Sequence, residues 1–153
     1  MELAEKIEAA LVAYLKAGTW PPWFNSDLIL PAESAEEKSD QCILIIAEDA
    51  TEEEPQYTGN FWHPVRIELQ TPMGLLTATQ IADDAIAPID KHKVIADLLQ
   101  SSLMADNLPT LLNAQVADLT CLAIVERKPS RGQTENMWAS GLDFRLLACG
   151  STL

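Results

Sequence analysis

Residues 62–70 (WHPVRIELQ) alternate with a period of two. His63, Val65, Ile67 and Leu69 fall on one side, and Pro64, Arg66, Glu68 and Gln70 on the other. Successive side chains of a β-strand point to opposite faces, so this is a strand with one face in a core. The segment therefore requires a sheet, and something apolar must cover one side of it. Pro64 has no N–H to give a ladder, which suits only the start of a strand or an edge. Just upstream, Cys42 to Ala47 (CILIIA) is a continuous apolar run, the pattern of a strand covered on both faces.

Two segments carry the helical period. In residues 2–17, Leu3, Ile7, Leu11, Tyr14 and Leu15 share one face, and Gly18 is a stop. From about Asp90 to Ala105 a second helix is expected. Asp90 is its cap, and Val94, Ile95, Leu98 and Leu99 form an apolar stripe extended by Ser102 and Leu103. A short helical turn is expected around Pro109 to Asn113. Two further strands close the chain, Leu119 to Lys128 and about Met137 to Cys149. The polar turn KPSRGQTEN between them gives a β-hairpin with a long tip. The stretch 19–41 holds Pro21, Pro22 and Pro31 and the aromatics Trp20, Trp23 and Phe24. It reads as an irregular loop pinned to the body by its rings. The sum is one α+β domain over residues 1–153, with a mostly antiparallel four-stranded sheet and two main helices packed on one face.

Charge narrows the function. Ten Lys and Arg stand against 23 Asp and Glu, a net charge of −13. Such a surface repels phosphate backbones and anionic membranes at long range, although it suits a passage through which DNA slides without sticking. No run approaches the ~20 apolar residues of a membrane span. The N-terminal MELAEKIEAALVAYLKAG has neither the basic leader nor the long apolar centre of a signal peptide.

The residues of chemistry are sparse. Cys42, Cys121 and Cys149 are far apart, lie in apolar runs and read as free buried thiols. His63 and His92 are the two histidines, and their spacing makes no metal-ligand pair. No nucleophile elbow and no glycine-rich phosphate cradle is present. The acidic run Glu48, Asp49, Glu52, Glu53 and Glu54 lacks the spacing and the glycine of a calcium loop. Asp83 and Asp84 are unremarkable among so many carboxylates. The expectation is a protein that is not an enzyme and holds no cofactor or metal.

The order of elements resembles the tail-terminator (tail-completion) family of long-tailed phages. The parts that carry the resemblance are the helix 2–17, the strands 42–47 and 62–70, the helix DKHKVIADLLQSSL at 90–103 and the hairpin 119–149. The resemblance covers most of the chain but not the Trp- and Pro-rich segment 19–41. It implies a structural virion protein, assembled in the host cytoplasm. The implied assembly is a homo-hexameric ring that caps the tail tube and joins it to the neck. Its implied partners are copies of itself, the tail tube protein and a neck or head-completion protein, with genome DNA passing through the lumen without specific binding. Strands 62–70 and 137–149 are then candidate subunit contacts, with Arg66, Glu68 and Arg145 on them. The tip 128–136, with Lys128 and Arg131, is a candidate contact to tube or neck. The competing readings are another neck or head–tail connector protein, a monomeric module that binds a peptide or ligand through Trp20–Phe24, and an enzyme without a recognisable motif.

Overall fold

The computed structural model describes residues 3–34, 41–49, 61–73, 87–134 and 136–150. The chain is α+β, but its sheet is not the four-stranded, mostly antiparallel one expected. Among the described residues it has five strands and is mixed, and three helices accompany it. The strands are β1 (Ile29–Pro31), β2 (Cys42–Ala47), β3 (Phe61–Pro72), β4 (Leu119–Thr134) and β5 (Met137–Gly150), in the spatial order β1-β2-β3-β5-β4. The extra strand comes from within the proline-rich segment. Ile29, Leu30 and Pro31 pair in parallel with Ile43, Leu44 and Ile45, while every other pairing is antiparallel. A three-residue strand has no period to read, and Pro31 is tolerated because β1 lies at the sheet edge.

Helix α1 (Leu3–Lys16) follows the expected stripe, burying Ile7, Leu11 and Leu15. Trp20 donates from Nε1 to the carbonyl of Leu15 at 2.7 Å, a second bond to a carbonyl at the helix end that also accepts from the Gly18 N–H at 3.0 Å. Trp20 stacks tilted on Phe24 at 5.2 Å, and Trp23 and Phe24 are buried in the core. The aromatic segment is thus pinned as expected. The Glu8 carboxylate accepts from the N–H of Ala47 at 2.9 Å, at the end of β2 that β1 is too short to reach. Burial pushes the Glu8 pKa up, and the hydrogen bond from Ala47 partly offsets this.

Helix α2 spans Pro88–Leu103 and starts differently from the expectation. Pro88 occupies the first turn, Ala87 precedes it in an extended conformation, and no side chain caps the helix. Asp90 is exposed in the first turn, where its charge favours the helix N-terminus without serving as the cap. The helix is also rotated from its expected face. Val94 is 41% exposed, while Lys91 and His92 are buried beside Ile95, Leu99 and Leu103. Helix α3 (Leu108–Asn113) buries Leu108 and Leu112.

One apolar cluster joins these helices to the inward residues of the sheet, among them Ile43, Ile45, Val65, Ile67, Leu69, Leu142, Phe144 and Leu146. The alternation at 62–70 therefore has the expected sense: His63, Val65, Ile67 and Leu69 are buried and Arg66 is exposed. Of β2, all but the exposed Ile46 is buried. The hairpin is longer than the sequence suggests. Residues 128–134, expected to be a loop tip, belong to β4, with Lys128 facing Asp143, Arg131 facing Ser140 and Thr134 facing Met137. Pro129 and Gly132 look like turn residues in sequence, but an edge strand accepts both. Most of the acidic run after Asp49, including Glu52, Glu53 and Glu54, and the pair Asp83 and Asp84 lie outside the described residues.

Candidate assembly surface

The outward face of the sheet gathers four of the five surface positions singled out in sequence, Arg66, Glu68, Lys128 and Arg145. Strand pairing aligns Ile46 with Arg66, Arg66 with Asp143, and Asp143 with Lys128, one row crossing four strands. The next row runs from Pro64 to Arg145 to Val125. Within the first row Arg66 donates to both oxygens of Asp143, Nε to Oδ1 at 2.9 Å and NH2 to Oδ2 at 3.1 Å. This two-pronged pair fixes the guanidinium and raises its pKa further above the ordinary range. Arg145 lies 5.5 Å from the centre of the Trp62 ring and 4.0 Å from the Glu126 carboxylate. Arg66, Glu126, Lys128, Asp143 and Arg145, with Ile46, Glu48 and Pro64, line an open groove of about 450 Å³. No described helix packs on this face. Glu68 faces Gly141 farther along it and accepts from Gln70 at 3.1 Å. Arg131 instead faces Ser140, whose side belongs to the helical layer, and lines a separate groove beside α2.

The sheet edges are poorly suited to pairing with another strand. Strands β3 and β5, the candidate subunit contacts, are interior, with both of their edges already bonded. They can meet a neighbour only through their outward face. The exposed edges belong to β1, which is three residues long and contains Pro31, and to β4. Strand β4 carries Pro129, register shifts at Cys121/Ala123 and Val125/Lys128, and a left-handed Glu126 with φ of 59° at the second shift. Asn113 on α3 donates to the Cys121 carbonyl at 3.2 Å and accepts from its N–H, taking up both backbone groups with a side chain. Short edges, bulges, prolines and charges are the devices that keep sheet edges from joining.

A polar chain beneath α2 has, at first sight, the outline of a catalytic site. Gln41 Nε2 donates to Thr71 Oγ1 at 2.9 Å, Thr71 Oγ1 lies 2.7 Å from His92 Nδ1, and His92 Nε2 lies 2.8 Å from Ser140 Oγ. The Thr71 and Ser140 hydroxyls can each donate or accept, so either tautomer of His92 completes the chain: Nδ1 accepting from Thr71 with Nε2 donating to Ser140, or the reverse. In both, the second ring nitrogen meets a neutral hydroxyl where a serine–histidine triad has a carboxylate. The chain fastens α2 to β3 and β5. Burial lowers the His92 pKa, so the ring is neutral at neutral pH. The unfolded chain then binds more protons than the folded one between the lowered value and the ordinary 6.5. Stability from this group is complete above that window and is lost as pH falls through it. His92→Gln is expected to flatten that part of a melting-temperature profile recorded between neutrality and mild acid. An unchanged slope would show that His92 does not titrate with folding.

The remaining positions of chemical interest lie in the core. His63 is buried, with Nδ1 3.0 Å from the Glu48 carbonyl, and it belongs to β3, while His92 is on α2. None of the three cysteines is in a disulfide; Cys42 and Cys121 are buried and Cys149 is half-buried. Burial pushes the Cys121 pKa up to about 12, with Cys149 nearby adding to the shift, so this thiol is unreactive. Among the described residues, no group of three His, Cys, Asp or Glu could hold a metal ion.

The chain matches no protein-family model and no curated protein.

Proposed function

We propose that this chain is a structural subunit of a phage tail, of the tail-terminator kind, which acts by assembling a ring and not by catalysis. The observation that carries the reading is the one-sided build of the sheet. Helices cover one face, and the other presents charged and apolar side chains with no described helix over it, while the edges are guarded against strand pairing. Contact through faces on different sides of a subunit is heterologous, and heterologous contacts close into rings when their rotation allows. The order α1, β2, β3, α2 and the closing hairpin supports the same reading through the family resemblance. The net charge of −13 suits a lumen that passes DNA without holding it.

Native mass spectrometry and electron microscopy of the purified chain test this. A discrete ring, most simply a hexamer, is the expected result. A monomer at every attainable concentration would overturn it. A ring with a different subunit number would favour a different neck or connector role.

A further inference from the structure

We draw no further inference here: the strongest candidate, the groove of about 560 Å³ between α2 and the inward side of the β4–β5 hairpin, lined by Lys93, Asp97, Arg131 and Trp138 among others, carries nothing because Lys93 and Arg131 share it with the acidic Asp97 and nothing in the structure shows what fills it.

Discussion

Replacing Ile67 by alanine is expected to destabilise the fold by about 2–5 kcal/mol, the range for cutting back a fully buried aliphatic side chain. Ile67 is wholly inaccessible and sits in the middle of β3, paired with Ile45 on one side and Leu142 on the other. Its inward side chain belongs to the cluster that joins the strands to all three helices. Its neighbours are held by backbone pairing on both sides, so the space left cannot readily collapse, and cost rises with the residual cavity. For a chain of about this length, each kcal/mol lowers the melting temperature by roughly 2–4 °C, which gives a fall of roughly 4–20 °C. Ile46→Ala is the matched control. It removes the same kind of side chain one strand away, from a site 40% exposed, and should change the melting temperature far less. Equal effects at the two positions would mean that the assigned inward and outward faces are wrong.

Gly141→Val is expected to be nearly as damaging, from the opposite side of the same spot. A Cβ at Gly141 would stand 2.7 Å from the carbonyl oxygen of Ile67 and 3.1 Å from Ser130 Oγ. The first of these is backbone in a central strand, which cannot turn aside as a flexible side chain would. The conflict is steric, and valine's further methyl groups aggravate it. Overpacking of this kind costs about 1–3 kcal/mol or more. Gly141→Ala should cost less, and Gly132→Ala, where nothing lies within 4 Å, should be nearly silent. Urea unfolding checks this: the midpoint should fall in the order Val, then Ala, with the slope unchanged. A wild-type midpoint for Gly141→Val would mean that β3 and β5 do not approach as closely as described.

These two positions differ in how readable they were. The burial of Ile67 follows from the alternation of residues 62–70, because a strand with one apolar face has one way to sit on a core. Nothing near Gly141 signals that another strand's carbonyl comes within reach, since Ile67 is far away in sequence. The same distinction runs through the candidate surface. Arg66, Arg145 and Lys128 could be named as surface residues from local pattern, but the Arg66–Asp143 pair and the row ending at Lys128 arise only from the register of β3, β5 and β4.

Helix α2 shows the limit of periodicity most clearly. The apolar stripe expected from the sequence counts Val94 beside Ile95 and leaves out Lys91 and His92. The structure turns the helix so that His92 reaches Thr71 and Ser140 and Lys91 lies 5.6 Å over the Trp23 ring. A hydrogen-bonded imidazole and a lysine Nζ held over an aromatic face are stable inside. The loss of Val94 from the core is small beside leaving those groups unplaced.

The α+β class, the facing of α1 and β3, the buried run of β2 and the closing hairpin were legible residue by residue, because each has a local period that burial on one side or both imposes. That Ile29–Pro31 adds a parallel fifth strand, that residues 128–134 extend β4, and which charged residues stand together on the outer face emerged from the folded chain. Those outcomes depend on pairing between distant segments, and a short or proline-containing strand has no local pattern to announce its partner.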